Sequence, residues 1–423
     1  MNIAIIGAGA AGLMAAATAG TVCRAAGTSA QITVLEKNRK AGVKILMSGG
    51  TRCNLTHDCG PSGIMEAFGQ GGAFLRQALA SLPPTAVVQL FNSLGVATQI
   101  ESTGKVFPTS NRALDVRDAL LRYATEAGAE VRLGTAVGSI QPEGARWLIR
   151  TDNGDLVADR VIVTSGGRSY PGCGTIGEGY AWMKTLGHTI VPTRPALVPL
   201  VGGEPWMHEI SGVTLEDVSA SVWPMPQLGE KSSKRPILTR AGGFLFTHIG
   251  YSGPTAMDVS GVITAAGDPA KTQLTLDLIP QISITALESW FQQSRNRDGR
   301  RKVVAALGEW IPRRLAEAIA VDAGASSCTF AEIPRATMMK LSSHLKRLTL
   351  PVTGTRGFEK AEVTAGGVSL REVDPRTMQS RLMPGLYIAG EILDLDGWIG
   401  GYNFQSAFST GYVAGLHAAK ALP

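Results

Sequence analysis

The sequence predicts an α/β fold: three layers in which a parallel sheet lies between helices, interrupted by an inserted domain. Three observations carry that expectation. Residues 2–6 read as a strand that runs through a glycine-rich turn into an alanine-rich helix at 10–19, and a second strand follows at 31–35, which makes one βαβ unit. At Pro192 the texture changes: prolines become frequent and short β-like runs replace the helix–strand alternation. After Pro351 the α/β texture returns. The expected division is a discontinuous domain at residues 1–190 and 352–423 and an inserted domain at 191–351, β-rich over about 191–280 and helical over about 281–351.

Further elements follow in chain order. A helix is expected over 84–94, with Val87, Leu90, Phe91 and Leu94 on one face and Gly95 ending it. Another is expected over 114–127, where Val116, Leu120, Tyr123 and Ala127 share a face and Gly128 is the C-terminal cap. Strands are expected at 130–133, 147–151 and 160–164. In the insertion, β-like runs fall at 197–201, 218–223, 243–247 and 273–278 and read as a small antiparallel unit. Its helical part shows Thr285 with Glu288 as a capping-box pattern. Pro312 suits a first helical turn, and Met338, Leu341, Leu345 and Leu348 mark the face of a last helix. The closing segment supplies a strand at 385–389 and a helix at 403–416.

Composition narrows the function classes. The 423 residues, 44% hydrophobic and 17% charged, describe an ordinary globular chain with a large core. The 51 glycines gather as doublets near strand ends, a pattern that brings backbone close to a large ligand. The net charge of +6 is compatible with an anionic partner. No block of like charge is long, however, and the densest stretch, 295–302, is interrupted by Asp298, so nucleic acid is not the expected partner. Five cysteines with no C-x-x-C pair and no zinc spacing suit a reducing cytoplasm and give no metal site. The apolar run 3–19 has no basic segment before it, and no other stretch is apolar enough to span a bilayer. A cytoplasmic protein acting on a small-molecule substrate is expected, with its oligomeric state open.

The first turn carries the chemistry. Gly7-Ala8-Gly9-Ala10-Ala11-Gly12 fits G-x-G-x-x-G between a strand and a helix. The first glycine permits the turn, the second lets backbone approach a pyrophosphate, and the third lets helix and strand pack closely. Free amides at the helix start then face two phosphate charges. Glu36 closes the second strand, where a carboxylate accepts hydrogen bonds from ribose hydroxyls and repels a 2′-phosphate. NAD and FAD both fit this unit. Gly172-Cys173-Gly174-Thr175-Ile176-Gly177 satisfies the same expression, but Pro171 precedes it and no strand leads into it, so it reads as a flexible loop.

The C-terminal segment separates the two cofactors, because a flavin nucleotide must be held along its length. Residues 385–391, Gly-Leu-Tyr-Ile-Ala-Gly-Glu, form a strand ending in Gly390 and Glu391, placed for ribityl or ribose hydroxyls. Gly400, Gly401, Tyr402 and Asn403 open a helix whose N-terminus can stabilise negative charge on a reduced flavin. Read without a ligand, the same residues are an ordinary strand end and a loop.

Further motifs are KILMSGGTRCN at 44–54, GKVFP at 104–108, SGGRSYP at 165–171, FTHIGYSGP at 246–254, VTAGGV at 363–368 and GGYNFQ at 400–405. On these the chain resembles, over nearly its whole length, the aminoacetone oxidase family of FAD-binding proteins. That family is also called the BaiN-like NAD(P)/FAD-dependent oxidoreductases and lies within the glutathione-reductase-type flavoproteins. The resemblance implies a Rossmann-like FAD-binding domain split by a β-rich and helical insertion, with FAD held non-covalently. The cofactor-binding set it implies begins with Gly7, Gly9, Ala10, Ala11, Gly12, Glu36 and Lys37. It continues with Lys44, Ser48, Gly49, Gly50, Arg52, Cys53 and Asn54, the backbone of Val137, and Ser165 with Gly166. Gly390, Glu391, Gly400, Gly401, Tyr402 and Asn403 complete it. The family usually has a third glycine where this chain has Thr51, which implies a slightly different loop geometry if that glycine has positive φ.

No catalytic side chain is assigned. His248, in a glycine-rich loop of the insertion, and Tyr170, before Pro171, are the weak candidates for contact with substrate. Arg52 reads equally as a donor to phosphate or flavin and as a structural ion-pair residue, and Cys53 reads first as a buried inert thiol. His188 reads as structural, and Asp394 with Asp396 as ordering the loop before Gly400. The expected reaction is hydride transfer between a small organic substrate, an amine or an activated double bond, and flavin N5, with reoxidation by oxygen or another acceptor. The alternatives are an NAD(P)H-dependent flavoprotein reductase, with NAD(P)H as a transient donor, and an RNA-modifying flavoprotein. Arg300, Arg301, Lys302, Arg313 and Arg314 motivate the last.

Overall fold

A computed structural model describes residues 1–226 and 233–420. The chain divides into two compact units, Met1–Pro195 with Glu362–Pro423, and Ala196–Ala361.

The first unit is built on a five-stranded parallel sheet in the order Leu386–Ile388, Arg160–Val163, Asn2–Ile6, Gln31–Glu36, Ala129–Leu133. Four of its strands are buried along nearly their whole length, as sheets covered on both faces require, while the edge strand Ala129–Leu133 is partly exposed. On one face the first helix, Ala10–Ala25, crosses the last, Tyr402–Ala419. Small residues make that crossing close: a Cβ on Gly411 would lie 2.3 Å from Ala11 O, and one on Gly415 2.3 Å from Ala15 O. A three-stranded antiparallel sheet, Val137–Glu143, Arg146–Thr151 and Leu156–Ala158, adds a further layer. The α/β parallel-sheet class read from the sequence holds.

The second unit contains a seven-stranded sheet in which Thr214–Pro224, Leu238–Thr247 and Thr272–Asp277 are the long members, all antiparallel. In its core Phe246 packs edge-on against both Phe244 and Tyr251. The helix Pro254–Ala265 packs on this sheet through Ala256, Val259 and Ile263. It was not foreseen, because its small residues give no clear apolar period. Three details correct the sequence reading. The run at 197–201 shrinks to Leu200–Val201, since Leu197 at φ 47° leaves the extended region. The helix Ile284–Arg297 is capped by Ser283, whose hydroxyl accepts from Ala286 N at 3.2 Å, and not by Thr285. Pro312 stands at the N-cap of Arg313–Ala323, one residue before the helix.

Candidate functional site

The glycine turn sits at the C-terminal end of the central strand, where α/β sheets hold their ligands. A Cβ on Gly12 would lie 1.9 Å from Gly7 O, so this glycine lets helix and strand touch. At Gly9 the same atom would meet nothing within 4 Å: the space above the turn is open. Gly9 is the N-cap of the first helix, which has no side-chain cap and no acidic residue in its first turn. The first-turn amides, those of Ala10, Ala11 and Gly12, therefore lack both a helical and a side-chain acceptor. That arrangement fits a pyrophosphate.

Glu36 is buried at the end of the neighbouring strand and holds the turn itself. Its carboxylate accepts from Ala8 N and from Asn38 N, each at 2.8 Å. Each oxygen keeps a second lone pair for a ribose hydroxyl. Thr135 N donates to Glu36 O at 2.8 Å, which brings Val137, two residues on, to the same strand end. Lys37 pairs with Glu178. The 172–177 segment is an ordered turn, not a free loop: Pro171–Cys173 is a 3₁₀ turn, Asn38 donates to Cys173 O at 3.0 Å, and Gly177 caps the helix Glu178–Thr185.

The 44–54 segment forms the short helix Val43–Met47 and then a left-handed turn, with φ 55° at Gly49, 65° at Gly50 and 69° at Thr51. The loop thus keeps a glycine-type conformation at Thr51 in spite of the β-branched side chain, contrary to the expected change of geometry. Arg52 donates to Glu101 at 2.7 Å and lies 4.0 Å over the Phe107 ring, so its structural reading is realised. Cys53 is fully buried, and burial pushes its thiol up to about 12, an inert state. Asn54, with its amide turned to satisfy both ends, donates to Thr56 O at 2.9 Å and accepts from Gly401 N at 3.1 Å. The motif at 44–54 is thereby tied to the 400–403 turn.

The C-terminal residues converge on the same place. Lys44, Ser169 and Glu391 form one cluster, in which Lys44 Nζ donates to Ser169 Oγ at 2.7 Å and pairs with Glu391. Glu391 also accepts from Ser169 Oγ and, at 2.9 Å, from Thr364 N. Gly390 N donates to Thr410 Oγ1 in the last helix, and a Cβ on Gly390 would lie 2.8 Å from Ala11 Cβ. Asn403 closes its own loop, accepting from Gly397 N and donating to Gly397 O. Tyr402 stacks on His57 with ring centres 4.7 Å apart. Among the described residues, Ser165 Oγ and Tyr180 Oη are buried without a hydrogen-bond partner, and Gly166 follows Ser165 at φ 75°. These unsatisfied groups and the open turn at Gly9 fit a bound polar cofactor.

Other candidates lie elsewhere. His248 is exposed on the hairpin turn between Leu238–Thr247 and Gly250–Ser252, in the second unit. Tyr170 is half-buried with φ 55°, at the start of the Pro171–Cys173 turn. His188 is structural, with Nδ1 3.1 Å from Glu372 and Nε2 2.9 Å from Ser380 Oγ. Burial raises the carboxyls of Asp394 and Asp396, while the Arg194 guanidinium opposes it. Sequence reasoning missed His57, Ser169 and Thr364. The last two lie inside quoted motifs, and His57 lies three residues after one. Burial lowers the His57 imidazole, and its Nε2 is 3.0 Å from Thr103 O.

Comparison with known proteins decides the family. The model for the HI0933-like protein Rossmann domain matches residues 1–417. The chain belongs to this family. As an HI0933-like protein it is an FAD-dependent oxidoreductase. Curated relatives align end to end. A ribosomal RNA dihydrouridine synthase from Escherichia coli (strain K12) is 30% identical over 421 residues, 98% of each chain. A 3-dehydro-bile acid Δ(4,6)-reductase from Clostridium scindens is 30% identical over 421 residues, 99% of each. Among solved structures, a 3-ketosteroid-Δ4-(5α)-dehydrogenase from Rhodococcus jostii RHA1 matches with a TM-score of 0.52 at 15% identity, covering 99% of this chain and 96% of that one. Quinol fumarate reductase FrdA from E. coli matches with a TM-score of 0.50 at 15% identity, covering 99% and 69%. These two structures share the fold of this HI0933-like protein. Among the described residues no helix is long and apolar enough to cross a membrane.

Proposed function

We propose that the protein reduces a carbon–carbon double bond conjugated to a carbonyl, with FAD as its redox cofactor and NAD(P)H as its transient electron donor. The observation that carries this reading is the pair of relatives at 30% identity, whose names, dihydrouridine synthase and Δ(4,6)-reductase, both denote saturation of such a bond. Uracil and a 3-oxo steroid differ in size and polarity but present the same polarised alkene. Bound FAD supplies the two-electron chemistry. The chain's part is to hold it. Ala10, Ala11 and Gly12 would donate their free amides to the pyrophosphate, Glu36 would accept from the ribose hydroxyls, and the positive end of the helix starting at Tyr402 would stabilise negative charge on the reduced flavin. The reaction balances as alkene plus NAD(P)H plus one proton giving alkane and NAD(P)⁺: the nicotinamide supplies both electrons and one hydrogen, solvent the other.

Of the five basic residues singled out in the insertion, three are engaged internally. Arg301 pairs with Glu309, Arg313 with Glu317, and Arg314 donates to Glu209 O and Ser211 O.

The test is anaerobic. Adding NADPH or NADH should bleach the flavin, and a conjugated acceptor, either a uridine-containing RNA or a 3-oxo-Δ4 steroid, should restore its colour. Flavin that resists both nucleotides but is bleached by aminoacetone, with oxygen uptake on return to air, would replace this reading with amine oxidation.

A further inference from the structure

The first unit carries an open cleft of about 440 Å³ away from the glycine turn, lined by Phe74, Arg76, Gln77, Asp374, Arg376 and Arg381 among others. Three guanidinium groups and one carboxylate leave it a net charge of +2. Arg76 opens the helix Arg76–Ser81, and its side chain is exposed. Among the described residues it makes no hydrogen bond or ion pair. Arg376 and Arg381 come from a single loop, 300 residues further along the chain.

That loop is held in shape. Asp374 accepts from Arg376 N at 2.9 Å and its N–H donates to Gln379 O at 2.9 Å, while Arg381 N donates to Glu372 O at 2.8 Å. Behind it, His188 is fixed between Glu372 and Ser380. The arginines are therefore presented by a pinned loop, so less order must be imposed when a ligand binds. Beside them the half-buried Phe74 ring offers an apolar surface. The segment that carries it, Gly69–Leu75, abuts the approach to the 400–403 turn: a Cβ on Gly71 would lie 2.9 Å from Leu395 Cδ2.

We infer that this cleft binds the phosphodiester backbone of single-stranded RNA, with Arg76, Arg376 and Arg381 on phosphates and Phe74 under a base. The inference rests on the reductase reading and names its substrate class, a pyrimidine within RNA. Guanidinium forks match phosphate oxygens in pairs. Aromatic faces beside them stack unpaired bases. The shape argues the same way: a small ligand is normally enclosed on most of its surface, whereas an open, cationic, partly aromatic trough suits a chain that passes through it.

The experiment measures binding of a fluorescent single-stranded RNA to the FAD-loaded protein across a salt series. For R76A/R376A/R381A, affinity should fall at least tenfold, and the salt slope should drop by about 2, corresponding to three lost phosphate contacts. FAD content and NADPH bleaching should stay at wild-type levels. The single charge reversal R76E, at an exposed position with no internal partner, should weaken binding in the same direction and guards against misfolding of the triple variant. Wild-type affinity in either folded variant, or RNA binding that ignores salt, would overturn the inference. So would a 3-oxo steroid carboxylate that competes RNA off the cleft. If RNA binds through these arginines but neither uridine nor a 3-oxo steroid is reduced, the cleft stands and the reductase reading fails.

Discussion

Lys44 donates to the Ser169 hydroxyl at 2.7 Å, and both side chains close on the Glu391 carboxylate. Through Thr364, whose N–H also reaches Glu391 and whose hydroxyl accepts from Arg168 N and Ser169 N, four distant segments meet at one carboxylate. The expected role of Glu391, a ligand for cofactor hydroxyls, is thus joined to a second one, that of a clasp. With side chains only 29% and 18% exposed, Lys44 and Glu391 cannot be parted cheaply. Removing one partner with E391Q or K44M should destabilise the fold by about 2 kcal/mol. It should also loosen FAD, read as a faster release of flavin on dilution. Unchanged unfolding midpoints in both variants would show that the cluster carries no stability.

The third and second glycines of the turn, Gly12 and Gly9, make opposite predictions. Gly12→Ala drives a methyl against Gly7 O and should cost about 3 kcal/mol of stability. At Gly9 a Cβ meets no atom within 4 Å and the φ of −85° suits any residue, so Gly9→Val should fold normally. It should nevertheless take up FAD at least tenfold more weakly, because the side chain enters the space over the free amides. Denaturant unfolding and flavin titration, run on both variants, separate the two effects. Normal FAD affinity in Gly9→Val would place the pyrophosphate elsewhere.

Thr51 sits at φ 69° after two glycines in the same region. A β-branched residue there costs about 1–2 kcal/mol relative to glycine, partly offset by the greater freedom glycine gains in the unfolded chain. Thr51→Gly should therefore stabilise the protein by about 0.5 kcal/mol with no loss of flavin, measured by chemical denaturation. A decrease in stability would mean that the threonine hydroxyl holds the loop.

Burial lowers the His188 imidazole below its ordinary value of 6.5, against the bond to Glu372, which raises it. The unfolded chain then binds the proton more readily than the folded one. Stability is fully present above pH 6.5 and declines as pH falls through that value towards the folded one. His57 and His417 are lowered in the same sense and act in the same window. The Glu372 carboxyl, lowered by its bonds to Thr189 and His188 against desolvation, contributes in a separate window, lost as pH falls below 4.5. His188→Gln should flatten the upper limb, where His57 and His417 continue to act. An unchanged upper limb would show that His188 does not titrate with folding.

Local patterns were legible and long-range ones were not. The Gly7–Gly12 turn and the strand ending at Glu36 are written in contiguous residues, because the glycine spacing answers a local need for backbone approach. Periodicity likewise located the helix Ala113–Glu126 and its Gly128 cap. The Glu391 cluster joins positions 44, 169, 364 and 391, and nothing in their spacing signals that they touch. The arginine cleft is similar. Runs of like charge, the basis for not expecting nucleic acid, cannot register Arg76 beside Arg376. In the insertion, the capping pattern at Thr285 was a near miss, because Ser283 offers the same chemistry two residues earlier.

The central claim is that the open turn at Gly9 and the clasp at Glu391 hold one flavin nucleotide. Purified protein should be yellow, and acid release should yield one free FAD per chain, leaving apoprotein that regains colour and thermal stability when FAD is returned. Apoprotein whose unfolding temperature does not change in excess FAD, and which stays colourless, would contradict it.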